Sequence, residues 1–396
     1  MAPKDIINPG LPGFDRYTFS PGVARQGKLF FVSGQTGTDD YGQGVSDDFC
    51  DQTRTALEKI RLILESGGAS CADVVKSVDY ISTDAGYRDT AQVRREVWGG
   101  EYPAATGVII TQMLRQIPKI EVDCTAIVPE TPADTFARHI VGMHLPRYQE
   151  WTFAPGVMRK GNILCIAGQT ATDADGNLVA PGDMVAQARQ ALSNIQHIVE
   201  AAGGSIDDVV KTTDFVTTTQ HYKDTAEVRR AFWKNGFPAA TGIVVEQLRP
   251  AQALIEVAAI AVLPTNARED RRIDLPHPGA AGAACAAAAT RGGKVLFLSG
   301  TTGTDDKGNV LCPGDITGQA TIVYDKHRQV LEAAGACWDN VVQATDYVVG
   351  MAQYDAVNAH RRVLFGDRLP AVTPVGVKAL LRPGALIEVD LIAVLD

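Results

Sequence analysis

The strongest constraint on the fold is a segment that occurs three times in the chain. Residues 102–128 read YPAATGVIITQMLRQIPKIEVDCTAIV, and altered copies occupy residues 237–263 and 369–395. Each copy opens with a Pro-Ala-x-Thr turn and carries a glutamate eighteen residues after the proline. Two further blocks, a Gly-Thr-Asp-rich segment and a D-V-V-K-like strand, recur in the same order. Such repetition indicates one structural unit written three times.

The chain of 396 residues is too long for one ordinary core, and typical domain sizes give two to four domains. Three repeats of about 130 residues fit this range, and each can bury a core of its own. We predict repeat boundaries at residues 1–130, 131–265 and 266–396. The segments 130–146 and 264–278 are rich in proline and charge, so we expect them to be linkers.

The residue pattern within each copy predicts the order strand, strand, helix, strand, helix, strand, strand. An N-terminal hairpin should end in the apolar run Leu29 to Val32, before a loop rich in glycine, threonine and aspartate. The first helix is clearest in the second copy, where apolar residues recur at spacings of three and four and glycines follow. This order indicates an α+β unit with its helices on one face of the sheet.

Charge and cysteine content narrow the classes of partner and compartment. The net charge is −9 and there is no run of lysines or arginines, so we expect no nucleic-acid partner. The longest apolar run, residues 280–289, is too short to span a bilayer, so we expect no membrane association. Seven cysteines without C-x-x-C spacing favour reduced thiols and a cytoplasmic protein.

No sequence motif indicates a metal or an organic cofactor. The seven histidines show no zinc-site spacing and do not recur between copies. His327 lies on the apolar stripe of its helix, where a packed side chain is a better interpretation than a catalytic base. No P-loop, dinucleotide fingerprint or G-x-S-x-G elbow follows a predicted strand. We therefore expect a small-molecule substrate, no cofactor and no metal.

One chemical group recurs in the last strand of every copy, a glutamate at positions Glu121, Glu256 and Glu388. In the first copy apolar and polar residues alternate from Ile120, which is the period of a strand with two different faces. A strand carboxylate is usually an ion-pair partner, but three at the same offset indicate a shared role. Burial would raise the carboxyl pKa and suit it to general acid or base work, although a buried ion pair would show the same pattern.

The repeated blocks resemble the Rid, or YjgF-type, family of RidA-like enamine and imine deaminases. The resemblance rests on V-S-G-Q at residues 32–35, the A-R-Q-A-L-x-N-I helix within residues 187–195, D-V-V-K-T-T at residues 208–213 and the closing I-E-V strand. Members are usually single units that assemble as homotrimers. The resemblance implies three tandem chorismate-mutase-like units that form a pseudo-threefold barrel with helices outside, a single-chain pseudotrimer.

The resemblance also implies sites in the clefts between neighbouring units. The family's glutamate, which positions the attacking water, matches Glu121, Glu256 and Glu388. The substrate-binding glycine matches Gly34, Gly168 and Gly300, and the aromatic lip matches Phe19 and Phe153. The carboxylate-binding arginine has no match, because its place is taken by Thr106, Thr241 and Thr373 or by the residue before each of them. Arg94, Arg229 and Arg361 are candidate substitutes, although we expect them to be solvated arginines on an outer helix.

Two functional hypotheses follow. In the first, the protein is a hydrolase of a carbon–nitrogen bond that acts weakly on 2-aminoacrylate, since a threonine cannot supply the charge-assisted fork of an arginine. In the second, it is a non-catalytic small-molecule binder or interaction module. Asp123 and Asp390 correspond to Ala258 in the middle copy, so the three clefts should differ. A ribonuclease activity fits the acidic charge poorly.

Overall fold

The computed structural model describes residues 5–7, 22–39, 43–66, 68–99, 102–114, 117–128, 138–140, 156–173, 177–202, 204–263, 273–275, 288–290, 295–305, 307–366 and 369–395. The same order of elements occurs three times. Repeat 1 contains β1 (Asp5–Ile7), β2 (Gly22–Thr36), α1 (Phe49–Ser66), β3 (Val74–Ile81), α2 (Ala91–Trp98), β4 (Ala104–Ile109), β5 (Gln112–Met113) and β6 (Ile120–Val128). The predicted helices and the closing strand are therefore present in this copy.

Repeats 2 and 3 follow the same plan. Repeat 2 contains β7 (Arg138–Ile140), β8 (Gly156–Thr170), α3 (Met184–Ala201), β9 (Val209–Val216), α4 (Thr225–Phe232), β10 (Ala239–Val244) and β11 (Ile255–Ala261). Repeat 3 contains β12 (Ile273–Leu275), β13 (Ala288–Thr290), β14 (Val295–Leu298), β15 (Thr301–Thr302), α5 (Ile316–Ala333), β16 (Val341–Val348), α6 (Tyr354–Phe365), β17 (Ala371–Gly376), β18 (Ala379–Leu380) and β19 (Ile387–Val394). The chain is mixed α+β, as predicted.

The long helices begin and end where their sequences indicate. The Asp183 carboxylate accepts hydrogen bonds of 3.0 Å from the backbone amides of Val185 and Ala186, which satisfies two donors at the start of α3. Asp315 caps α5 in the same way. Helix α5 ends just before Gly335, whose φ of 75° a glycine adopts without steric cost. Local capping thus fixes the helix bounds.

The predicted N-terminal hairpin is seen in repeat 3, where β13 pairs with β14 in antiparallel register, but it is wrong for repeats 1 and 2. Strands β2 and β8 each run for 15 residues without a turn. They pair with each other in antiparallel register, with Gly27 opposite Gly161. Pairing with another repeat thus supplies the backbone hydrogen bonds that a local hairpin would otherwise make. This pairing joins repeats 1 and 2 into a single sheet.

The described strands form two sheets. The first has the order β18-β10-β9-β11-β8-β2-β6-β3-β4, and the second has the order β12-β13-β14-β19-β16-β17-β5. Strand β5 of repeat 1 pairs with β17 of repeat 3, and β18 of repeat 3 pairs with β10 of repeat 2. A bridge between Gln247 and Ile109 joins repeat 2 to repeat 1. Each repeat thus contacts both others, while neither sheet closes on itself within the described strands, so barrel closure is not seen.

Both faces of each sheet are buried. The helix-side face forms a separate apolar cluster in each repeat, centred on α1, α3 and α5. The opposite face packs against the other repeats, in two clusters that contain residues of all three copies. In β6, Val122 and Cys124 face the helices, which confirms the predicted alternation. Glu121 and Asp123 therefore lie on the face turned toward the other repeats, where they too are buried.

Candidate functional site

Each closing-strand glutamate packs directly against the predicted glycine of its own repeat. A Cβ atom added to Gly34 would overlap the Oε1 atom of Glu121, and the same holds for Gly168 with Glu256 and for Gly300 with Glu388. A side chain at any of these positions would displace the carboxyl group, which occupies the space that a Cβ atom would fill. The three glutamates are almost inaccessible to solvent: Glu121, Glu256 and Glu388 are 4%, 6% and 5% exposed.

A threonine from a different repeat completes each pair. The Gly34 amide donates to Thr373 Oγ1 at 3.0 Å, the Gly168 amide donates to Thr106 Oγ1 at 2.8 Å, and the Gly300 amide donates to Thr241 Oγ1 at 3.0 Å. We call these three arrangements the first, second and third seams, numbered by the repeat that supplies the glutamate. The structure thus brings the predicted glutamates, glycines and threonines together at the boundaries between repeats.

Two of the glutamates have strongly shifted proton affinity. Burial raises the pKa of Glu256 to about 8, although the positive charge of Arg249 opposes this shift. Burial also raises the pKa of Glu388 to about 8, with a further increase from Asp390; Lys211, a hydrogen bond from the Gly242 amide and Arg382 oppose it. Both side chains are therefore predominantly neutral carboxylic acids at pH 7.

The prediction that the second-helix arginines are solvated is wrong. Arg94, Arg229 and Arg361 are buried, and they form ion pairs with Asp79, Asp214 and Asp346. Asp79 pairs in register with Val122, so it lies on the helix-facing side of the sheet, opposite to Glu121. A tyrosine hydroxyl joins each pair, as Tyr354 does by donating to Asp346 at 2.7 Å. Each of these guanidinium groups is therefore already paired with a buried aspartate on the helix side of the sheet.

Sequence reasoning missed a different arginine. Arg249 of repeat 2 lies over the ring of Tyr87 in repeat 1, with 4.3 Å between the guanidinium carbon and the ring centre, and forms an ion pair with Asp84. Arg249 opposes the pKa shift of Glu256, and Arg382, together with Lys211, opposes that of Glu388. A Leu-Arg pair whose arginine lies six or seven residues before each glutamate was the available signal. Its first copy, Arg115, lies outside the described residues.

The three seams differ in the group that accepts a hydrogen bond from the threonine hydroxyl. Thr241 donates to Asp390 at 2.8 Å in the third seam, and Thr373 donates to Asp123 in the first. In the second seam the corresponding residue is Ala258, so Thr106 has no carboxylate at this place. The predicted aromatic lip, Phe19 and Phe153, lies outside the described residues. The expected inequality of the sites is thus visible in their hydrogen bonding.

Other candidate groups have structural explanations. His327 is buried, its Nε2 atom lies 2.8 Å from the Val389 carbonyl oxygen, and burial lowers its pKa to about 4, so it is a packed side chain. The described part of the chain contains no cluster of three or more metal-ligating side chains. No helix among the described residues is both long and apolar enough to cross a membrane. Free thiols occur at Cys50, Cys71, Cys124, Cys165, Cys312 and Cys337.

Comparison with known proteins supports the repeat organisation. The sequence pattern of the endoribonuclease L-PSP family matches residues 15–128, 149–263 and 279–395. A RutC family protein of Pyrococcus horikoshii is 38% identical over 104 residues, which are 26% of this chain and 82% of that protein. A RutC family protein of Sulfurisphaera tokodaii is 37% identical over 103 residues, with the same coverage of 26% and 82%.

Two solved structures are also similar to parts of the chain. The crystal structure of the YjgF gene product of E. coli is 39% identical and covers 26% of this chain and 81% of its own, with a TM-score of 0.24. A chorismatase structure covers 81% of this chain and 93% of its own at 16% identity, with a TM-score of 0.48. The three matches to the family pattern span most of the chain. The chain belongs to the endoribonuclease L-PSP family, which includes the RutC and YjgF proteins, and consists of three tandem copies of its unit.

Proposed function

We propose that this protein hydrolyses a carbon–nitrogen bond of a small metabolite at the seams between its repeats, as the enamine and imine deaminases of its family do. The observation that carries the proposal is a buried glutamic acid, held neutral at pH 7 and packed against a glycine, in both the second and the third seam. Catalytic acids need a pKa near the working pH, and burial of this kind supplies it.

A neutral carboxylic acid suits the first step of enamine hydrolysis. Glu256 or Glu388 would donate its proton to the enamine carbon, which converts the substrate to an iminium ion. The resulting carboxylate would then take a proton from the attacking water, so that the carbon gains a hydroxyl group. Collapse of this adduct transfers a proton to nitrogen and releases ammonia and a carbonyl compound. The overall reaction consumes one water and leaves the glutamic acid protonated.

The substrate preference is proposed to differ from that of 2-aminoacrylate deaminases. Thr106, Thr241 and Thr373 occupy the place of the carboxylate-binding arginine, and each accepts a hydrogen bond from a glycine amide. Arg249, near the second seam, is already paired with Asp84. A lost charge-assisted hydrogen bond costs about 1.5 to 3 kcal/mol, which is roughly 10- to 150-fold in kcat/KM. We expect weak pyruvate release from 2-aminoacrylate.

Single substitutions of the three glutamates test the proposal. Glu256→Gln and Glu388→Gln keep the side-chain shape but cannot donate a proton, so each should lower kcat of the seam it serves by about 100-fold or more. Glu121→Gln tests the first seam in the same way. The exposed Glu246, which pairs with Lys378 on the surface, is the matched control and should leave kcat unchanged as Glu246→Gln.

The pH profile gives a second readout. If the neutral acid is the active form, kcat should fall as the pH rises through about 8, the pKa of Glu256 and Glu388. A panel of enamine and imine substrates, assayed by ammonia release, identifies the reaction. Full activity in all three single variants and in the triple variant would remove the glutamates from the mechanism and end the hydrolase proposal.

A non-catalytic binder is the second candidate function, and one observation favours it. The threonine that caps each glycine amide closes the seam, and the glutamates behind it are almost fully buried. A binding module would retain metabolites without turning them over. Mass spectrometry of small molecules that remain bound through purification, compared between the wild type and Thr106→Val, distinguishes this candidate from the hydrolase.

We also propose that the chain is a compact single-chain pseudotrimer. Supporting contacts are the hydrogen bonds donated by the glycine amides to the threonine hydroxyls, which run from repeat 1 to repeat 3, from repeat 2 to repeat 1 and from repeat 3 to repeat 2. The short edge pairings and the two apolar clusters shared by all repeats add to them. Small-angle scattering should give a compact particle, and a profile of an extended string of domains would contradict this arrangement.

A further inference from the structure

A cavity with a mainly apolar wall and a few charged side chains lies where the three repeats meet, on the sheet faces turned away from the helices. Its volume is about 60 Å³, and residues of all three copies line it. A water molecule needs about 10 to 15 Å³ of such volume, so the cavity has room for a ligand of a few heavy atoms. Its charged and amide lining residues are Lys76, Asp123, Lys211, Gln343 and Asp390.

These side chains occupy two repeated positions. The first position, in β3, β9 and β16, holds Lys76, Lys211 and Gln343. The second, in the closing strands β6, β11 and β19, holds Asp123, Ala258 and Asp390. Each repeat therefore has a different combination, and the acid is missing from repeat 2 alone.

Lys211 shows what a lysine at this position binds. Its ammonium group donates to Thr241 Oγ1 at 2.6 Å, to the Leu298 carbonyl oxygen at 2.9 Å and to Asp390 Oδ2 at 3.0 Å. The carboxylate comes from the closing strand of the next repeat. All three ammonium hydrogens are thus used, which is the arrangement that a buried charge requires.

Lys76 lacks this arrangement. Lys211 pairs with Asp390 in the closing strand of the next repeat. The equivalent position for Lys76 is Ala258, which carries no carboxylate. The closest carboxylate oxygen is Oδ1 of Asp123 at 3.9 Å, too far for a hydrogen bond. Among the described residues, the Lys76 ammonium forms no hydrogen bond, and its side chain is 19% exposed.

Asp123, which faces Lys76 across the 3.9 Å separation, also lacks a hydrogen-bond partner among the described residues for one carboxylate oxygen. Its Oδ1 atom is buried without a hydrogen-bond partner. A buried polar atom without a partner is destabilising, so binding gains from a ligand that accepts from Lys76 and, once Asp123 is protonated, from Asp123 as well. The lysine and the aspartate thus flank a site that the protein itself leaves incomplete.

We propose that this cavity binds a small monoanion of the carboxylate type, with three or four heavy atoms, in the place of the carboxylate that Ala258 lacks. One ligand oxygen would accept from the Lys76 ammonium, as Asp390 accepts from Lys211. Formate and acetate match the volume and the planar shape of the missing group. The proposal concerns an axial site that is separate from the three glutamates, so it stands independently of the proposed function.

Asp123 makes the binding depend on pH. Burial raises its pKa to about 6; Lys76 and a hydrogen bond from Thr373 lower it, and the charges of Asp390 and Asp79 raise it. Below that pH the neutral carboxyl group can donate a hydrogen bond to the anion, whereas the ionised form repels it. Formate affinity should therefore increase as the pH falls through about 6.

Titration with carbon-13-labelled formate, followed by NMR on the full chain, tests the site. The wild type should bind formate saturably, and Lys76→Met should weaken binding at least tenfold. Ala258→Asp places a tethered carboxylate beside Lys76 and should abolish formate binding. Lys378→Met removes a surface lysine, which is exposed and paired with Glu246, and should bind formate as the wild type does.

Three results would overturn the proposal: no saturable binding to the wild type, equal binding to the wild type and Lys76→Met, or undiminished binding to Ala258→Asp. If Ala258→Asp fails to fold, the comparison of Lys76→Met with Lys378→Met decides alone. Activity assays do not enter this test, so its outcome cannot be confused with failure of the hydrolase proposal.

Discussion

At the scale of single residues, the glutamates owe their proton affinity to what surrounds them. Glu256 and Glu388 belong to strands that would leave a carboxylate half-exposed in an isolated sheet. Packing of another repeat over that face removes water, and this loss raises both pKa values to about 8. The glycine against each carboxyl group leaves no space for solvent there. The same burial has a consequence for stability.

We predict that these two carboxyl groups make the protein less stable as the pH rises. Between about 4.3, the pKa of an unfolded glutamate, and about 8, the folded state binds more protons than the unfolded state, so the free energy of unfolding falls across this window. Glu256→Gln stays neutral, and above pH 8 it should be more stable than the wild type. The gain is about 1.4 kcal/mol per unit of pKa shift.

Urea unfolding at several pH values measures this difference. Near pH 4, where both forms are neutral, the wild type and Glu256→Gln should agree within about 0.5 kcal/mol. Glu246→Gln, at an exposed position, should follow the wild type throughout. Parallel stability curves for Glu256→Gln and the wild type would mean that the carboxyl group ionises as it does in water.

Recurrence in the sequence singled out Glu121 and its equivalents, and the family resemblance pointed to Gly34, Thr373 and theirs; the structure brings these residues together. Neither signal identified the environment of Arg94. A charged residue on a short helix looks the same in sequence whether it meets water or a buried aspartate of the strand beneath. Arg249 was missed because its contacts, Tyr87 and Asp84, belong to another repeat.

At the scale of elements, the second helix of each repeat is tied to a strand by charge as well as by apolar packing. In repeat 1, the ion pair of Arg94 and Asp79 joins α2 to β3, and Tyr87 donates a further hydrogen bond to Asp79. Equivalent sets join α4 to β9 and α6 to β16. Helix α2 has only 8 residues, so packing on its own offers it little area.

We predict that Arg94→Met lowers the free energy of unfolding by about 3 to 5 kcal/mol, because it leaves Asp79 buried and unpaired. The neighbouring Arg95 is exposed and provides the matched control, so Arg95→Met should change stability by less than about 0.5 kcal/mol. Denaturant unfolding measures both. Equal effects of the two substitutions would show that the buried ion pair contributes nothing specific to the attachment of the helix.

Elements were easier to predict than their partners. The alternation from Ile120 and the stripe of α3 predicted the closing strand and the helix correctly, since both follow from local periodicity. The hairpin prediction failed for repeats 1 and 2, because β2 continues through Gly27 and pairs with β8 of the next repeat, 134 residues away at the register of Gly27 and Gly161. Local sequence carries no information about a hydrogen-bond partner at that distance.

At the scale of the whole molecule, the repeats share two apolar clusters and an eleven-residue pairing between β2 and β8. Removal of one repeat would expose the inner faces of the other two. Burial of these shared faces stabilises all three repeats at once, so its contribution cannot be assigned to a single repeat. The repeats should therefore unfold together, although each is large enough to possess a helix-side core of its own.

We predict a single cooperative unfolding transition. Trp98, Trp233 and Trp338 place one tryptophan in the helical layer of each repeat, so variants that retain one of them, with the other tryptophans replaced by phenylalanine, report on the repeats separately. Their urea midpoints should coincide. Arg94→Met, which weakens repeat 1, should lower the midpoint seen by Trp338 in repeat 3 as much as the midpoint seen by Trp98. Three separate midpoints, or a shift confined to Trp98, would show that the shared faces couple the repeats too weakly to form one folding unit.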